Sequence, residues 1–118
     1  MYSSLNYQFL CTQTVTVYHA EKDFFTRTIY NNAFLDYRKN QNIDKTGSTE
    51  SNSFLLIIPG KDVKIQVGDK VLSGIGNEIQ TSQEWAKFIP ALVQGLVVVK
   101  YVDPKYYRGQ LCHWEAGG

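Results

Sequence analysis

The sequence predicts a mainly β domain: a small β-barrel of about seven or eight strands, with one short helix and a long polar loop. Three observations predict it. Valine, threonine and tyrosine recur in alternating runs, and these residues suit a pleated, half-buried surface. Turn signals return about every 8–12 residues, a spacing typical of barrels and sandwiches. One window, "TSQEWAKFI", has a helical period instead.

In chain order, "QTVTVYHAE" places Val15, Val17 and His19 on one face and Thr14, Thr16 and Tyr18 on the other. "EKD" turns the chain and "FFTRTIY" alternates again, so the two runs form a hairpin. "NN" reads as a further turn. "AFLDYRK" then sets Phe34, Asp36 and Arg38 opposite Leu35, Tyr37 and Lys39. "SFLLIIPG" is an apolar strand closed by Pro59-Gly60, and "KDVKIQV" is a strand with Val63, Ile65 and Val67 on one face. "GDK" is a tight turn in which Asp69 bonds back to the backbone. "KVLSGIG" is a strand whose glycines mark a bulge or bend.

The helix is expected at 81–89. Thr81 and Glu84 fit a capping box, Trp85, Phe88 and Ile89 form a stripe, and Pro90 ends the run. "GLVVVKYVD" is apolar on both faces and is expected to be a central strand. "DPKYYRG" turns the chain, and "QLCHW" supplies one more short strand.

The totals narrow the function classes. A chain of 118 residues suits one domain, 1–118, that buries a core without metal or disulfide staples. Hydrophobic residues at 43% and aromatics at 14% exclude a disordered tail. Twelve basic residues against eleven acidic ones lack the excess of a dedicated DNA binder. Cys11 and Cys112 form no C-x-x-C pair, so neither a zinc site nor a redox motif is expected. A disulfide between them is the minor alternative in a reducing cytoplasm. "MYSSLNYQFL" lacks the features of a signal peptide, and "LVVV" is far short of a membrane span. The expectation is a soluble protein made in the cytoplasm.

Residues 40–53 form the least core-like stretch. "NQNIDKTGSTESN" holds one apolar residue, Ile43, and exceeds the usual connection of about 4–6 residues. It reads either as a solvated hairpin tip or as a projecting loop that works when copies assemble. The chemistry of a site is otherwise sparse. His19 and His113 are the only histidines, too few for the usual zinc-enzyme set. Adjacent Cys112 and His113 point to opposite faces of a strand. They are expected to pack as a small hydrophobe and to face outward or bind a backbone carbonyl. "GIGNEI" carries G-x-G without the third glycine or a following βαβ helix, too weak for a dinucleotide motif. No cofactor, no metal and no enzymatic activity are expected.

Four stretches then form a pattern: "VTVYHAEKDFFTRTIYNNAFLDYRK", "DKTGSTESNSFLLIIP", "VGDKVLSGIG" and "VVVKYVDPKYYRGQLCHWEAGG". In this order they resemble short proteins from the structural gene cassettes of tailed bacteriophages and prophages of Gram-positive bacteria. The most specific pieces are the "HWE-x-GG" ending, here His113 to Gly118, and the "VGDKVLSG" turn. Tyr101 and Ala116 depart from the family pattern without threatening the fold.

The resemblance implies a head-closure, or stopper, protein of the virion's head–tail connector. Such a neck protein forms a sixfold or twelvefold ring on the portal–adaptor complex, retains packaged DNA and docks the tail. It would be made in the bacterial host cytoplasm and act in the virion, away from any membrane. Its partners would be itself, the portal and adaptor, and tail terminator or tail-tube proteins, with weak non-specific contact to DNA. The alternatives are a tail-completion or tail-terminator protein at the neck–tail joint and a non-viral small β-barrel binding module.

On this reading Asn40, Gln41, Asn42, Ile43, Asp44, Lys45, Thr46, Gly47, Ser48, Thr49 and Glu50 form a channel loop. Leu5, Tyr7 and Phe9, on an N-terminal arm of residues 1–12, join Tyr106, Tyr107 and Trp114 at a subunit or adaptor interface.

Overall fold

A computed structural model describes residues 11–44 and 47–118, with the backbone alone over 38–44 and 47–52. Seven strands and one helix are present among the described residues. The strands are β1 (Gln13–Ala20), β2 (Phe25–Asp44), β3 (Gly47–Pro59), β4 (Lys70–Ser73), β5 (Val97–Val98), β6 (Tyr101–Tyr107) and β7 (Gln110–Gly117). The helix, α1, spans Ser82–Lys87 between β4 and β5. The mainly β class with one short helix is as expected.

The sheet runs β5-β4-β1-β2-β3-β7-β6, and every pairing is antiparallel. As a ladder it is open, but its two edges are successive parts of one chain segment. β5 leaves β4 at Val98, and β6 joins β7 at Tyr101. Between them, Val99 N–H donates to Asp69 C=O and Lys100 N–H donates to Gly117 C=O. The segment 97–107 thus bonds first to one edge and then to the other, which rolls the sheet into a barrel-like domain.

β2 performs the same service on the far side. Its first part pairs with β1 and its last part with β3. The change of partner comes at a bulge: Gln13 faces Ala33 but Val15 faces Tyr30, so β2 holds one extra residue at Asn31–Asn32. Thr14 Oγ1 donates to Asn31 Oδ1 across it, at 3.2 Å. The expected turn at "NN" is therefore a bend within one 20-residue strand. A bulge increases local twist and lets a strand pass from one sheet to the next.

Alternation sends Val15, Val17, Leu35, Leu56, Ile58 and Val71 into one core, with Tyr30, Val102 and Trp114 packed at its edge. Burial of each such side chain is worth about 1.5–3 kcal/mol. β1 is also covered outside. The segment from Gly74 to Gly95, with α1, lies over Thr16 and Tyr18, which are buried too. Thr16 Oγ1 donates to Gly74 C=O at 2.7 Å and accepts from Gly76 N–H at 3.0 Å. Tyr18 Oη donates to Asn77 C=O at 2.9 Å.

Other local expectations change. Residues 61–67 are irregular: Val63 and Ile65 are buried but Val67 is 65% exposed. The Gln66–Asp69 turn swings Val67 outward, because Asp69 N–H donates to Gln66 C=O and Asp69 Oδ2 accepts from Gln66 N–H. "GLVVVKYVD" is not central. It supplies both ladder edges, and it is apolar on both faces because Leu96, Val97 and Val99 are buried at the seam.

Asp103-Pro104 lies inside β6, an edge position where proline's missing N–H is tolerated. The turn comes later, at Arg108-Gly109, with φ of 52° and 78°. Positive φ at both central residues suits the twist of a two-residue hairpin. α1 is shorter than 81–89. Thr81 caps it, accepting from Glu84 N–H at 3.1 Å, and Phe88 leaves the helix.

Gly76 meets the sheet so closely that a Cβ there would overlap Tyr18 Oη and approach Leu72 Cδ2 to 2.9 Å. Gly76→Ala is expected to lower stability by about 1–3 kcal/mol, since overpacked sites relax poorly. Urea unfolding followed by fluorescence measures it.

Candidate functional site

Three features stand out from the barrel. The first is the ribbon formed by the ends of β2 and β3. From Arg38–Ser53 to Asp44–Gly47 the two strands pair only with each other among the described residues. β1 is left behind at Ala33, and β7 pairs no further along β3 than Leu55. Seven paired positions, six steps of about 3.3–3.4 Å, give a ribbon of about 20 Å. Residues 40–44 and 47–50 of the predicted channel loop belong to it as strands. Lys45 and Thr46 lie outside the described residues.

The second feature is a cleft of about 600 Å³ at one barrel mouth, between the β1–β2 hairpin and residues 63–66. Val17, Thr26 and Thr28 line it, as does Phe24, which is 57% exposed. His19 lies between two carboxylates: Nδ1 is 2.6 Å from Asp69 Oδ1, and Nε2 is 3.0 Å from Glu21 Oε1.

The hydrogen bond to Asp69 is the main cause that raises the His19 pKa above its ordinary value. Burial opposes it, and the charges of Asp69 and Glu21 add to it. The Asp69 carboxylate is almost fully buried and is fixed by Gln66 N–H at 2.9 Å. With both ring nitrogens engaged, the imidazole is arranged to hold a proton. Among the described residues no group of three or more histidine, cysteine or acidic side chains is placed to hold a metal ion.

The third feature is the outer layer over β1 and β4. Lys70, on β4, points under α1 and is buried. Its Nζ donates to Trp85 C=O at 2.8 Å and Phe88 C=O at 2.6 Å, and stands 4.1 Å from the centre of the Trp85 ring. Two helix-end carbonyls and an indole face thus replace its water. Desolvation still lowers the ammonium pKa. Trp85 stacks on Phe25 at 5.3 Å, and Phe88 meets Tyr18 edge-on at 4.7 Å.

Of the predicted interface residues, Tyr106, Tyr107 and Trp114 lie on the β6–β7 hairpin. Tyr106 is 64% exposed near the β6–β7 turn, and Tyr107 is half-buried with the Arg108 guanidinium 5.5 Å from its ring. Trp114 is partly buried and packs against the core. Leu5, Tyr7 and Phe9 lie outside the described residues. Cys11 and Cys112 are free thiols, and burial pushes Cys11 up to about 11.

His113 does not face outward. It is buried between Pro59 and Lys105 in the ladder, and burial lowers its pKa. The terminal glycines are packed as well. Gly118 C=O accepts from Phe54 N–H, and a Cβ on Gly117 would meet the Tyr101 ring.

The match to a family model takes in this whole arrangement. A family of unknown function, DUF6751, matches residues 10–118. The chain belongs to this family. No curated protein and no solved structure matches it. The DUF6751 region therefore includes the ribbon, the cleft and the lysine-bearing outer layer.

The sequence singled out neither the cleft cluster nor Lys70. His19 and Glu21, two residues apart, offered a local hint, but Asp69 comes from fifty positions away. The aromatic pair Trp85 and Phe88 was visible, whereas its cation was not.

Lys70→Ala is expected to lower stability by about 1–3 kcal/mol, the range for charged hydrogen bonds and a desolvated cation–π contact. Trp114→Ala is expected to lower the melting temperature by an amount equivalent to about 1.5–3 kcal/mol. Thermal unfolding by circular dichroism checks both.

Proposed function

We propose that this protein is a virion structural protein of a bacteriophage head–tail connector, acting as a head-closure ring subunit. The observation that carries the reading is the polar ribbon. A two-stranded hairpin is marginal in water by itself, and its composition offers no core of its own. Side-by-side copies around a pore would give it neighbours and place its tip towards the channel. The ending His113-Trp114-Glu115-Ala116-Gly117-Gly118, through which the resemblance enters, supplies residues 113–117 of β7, the strand between β3 and β6. The near-balanced charge suits a conduit, because strong phosphate neutralisation would hold DNA back.

In this role the barrel is the ring's rigid wall. The N-terminal arm reaches a neighbouring subunit or the adaptor, the exposed Tyr106 lies at a contact, and the tail-side face receives a terminator or tube protein. The ring would have sixfold or twelvefold symmetry. The mouth cleft favours a second reading, a small barrel module that binds a peptide or oligosaccharide, since barrel mouths commonly hold ligands.

Mixing the purified protein with portal–adaptor complexes, followed by electron microscopy, is expected to show a ring of six or twelve copies. Capture by tail-tube protein alone would move the assignment to tail completion. A monomer in both mixtures would sink the connector reading. Replacing residues 38–53 by Asn-Gly is expected to leave the unfolding free energy within about 1 kcal/mol of the parent, because these strand ends pair with no third strand among the described residues. Ring assembly should be lost, which the same microscopy reads.

A further inference from the structure

We propose that His19 is a proton-operated clasp at the barrel mouth: its imidazolium ties the β1–β2 turn to the Gln66–Asp69 turn, and loss of one proton releases the β1–β2 turn. The inference is independent of ring assembly. It stands on three connected contacts. His19 Nδ1 meets Asp69, His19 Nε2 meets Glu21, and Glu21 N–H closes the turn by donating to Phe24 C=O at 2.8 Å.

Only the imidazolium has two N–H groups; the neutral ring keeps one. Asp69 retains that proton. Its contact is the shorter, 2.6 Å against 3.0 Å, and its carboxylate is almost fully buried, whereas that of Glu21 is about half exposed. Abandoning a buried charge costs more than abandoning a solvated one. Nε2 then turns a lone pair towards a carboxylate oxygen, and the pair repels. Glu21 and Phe24 line one side of the cleft and Lys64 and Gln66 the other, so release of the turn widens the cleft.

The surrounding charges support this assignment. Glu21 comes from the hairpin turn, Asp69 from the turn before β4, and Lys64 from the opposite wall. Lys22 and Asp23 are exposed on the hairpin turn. Arg27 of β2 and Lys70 of β4 are committed elsewhere, to Gly76 C=O and Glu78 and to the α1 carbonyls. The raised His19 pKa fixes the sign. The clasp's contribution is full below the unfolded value of about 6.5 and fades as pH rises through the higher folded value.

The test is an NMR titration of the intact chain between about pH 5 and 9, with amide exchange read at Glu21 and Gln66 and His113 as internal reference. The expected result is a His19 midpoint above about 6.5. Glu21 amide protection should fall by at least about threefold across that midpoint, after correction for intrinsic exchange. Gln66 protection should persist. In Glu21→Gln the step at residue 21 should vanish and the His19 midpoint should drop. A midpoint at or below about 6.5, an unchanged step in the variant, or joint loss of Gln66 protection would each overturn the proposal.

Discussion

The constraint on which the structure rests is that two stretches of chain must each change partners midway. The chain has few residues for a barrel, and it economises by letting β2 and the 97–107 segment change partners midway. At the seam, consecutive amides point to opposite sides: Val99 bonds to Asp69, and Lys100 bonds to Gly117. One residue at the mouth, Asp69, takes its backbone position from this crossing. Asp69 is fixed by Val99 through its backbone and by Gln66 through its side chain, and only then can it orient His19.

The outer layer follows a related logic. β1 is buried on both faces, so its outward threonine and tyrosine need partners as well as cover. Thr16 and Tyr18 find carbonyls in the 74–77 loop, and Lys70 finds them at the end of α1. Polar side chains thus attach an irregular segment to a sheet face, beside the Trp85–Phe25 and Phe88–Tyr18 ring contacts. The ribbon is the part that extends beyond the barrel and this layer.

Much of the fold was legible because period-two patterning is a local signal. The β1–β2 hairpin, the Asp69 turn and the Thr81 cap follow from residues close in sequence. What failed was non-local. "NN" has turn chemistry, but the strands on either side had partners enough to continue through it as a bulge. The valines of 96–99 resembled a central strand because burial on two faces looks the same at a seam. Asp103-Pro104 carried a turn signal that an edge position neutralised. The candidate cleft was illegible for the same reason: no periodicity links His19 to a carboxylate fifty residues away, and nothing local marks Lys70 as a helix support.

The place of β7 in the ladder has a consequence for biosynthesis. The strand lies between β3 and β6 although it is made well after β3. Until it emerges, the Leu55–Pro59 edge of β3, including Leu56, Ile57 and Ile58, has no cover on that side. At roughly 5–20 residues per second, this edge waits several seconds on the ribosome. During that interval, an apolar strand with open backbone groups is a template for a stray chain. Local hairpins can form early, but this edge of β3 gains its partner only when His113–Gly117 are available to pair with it.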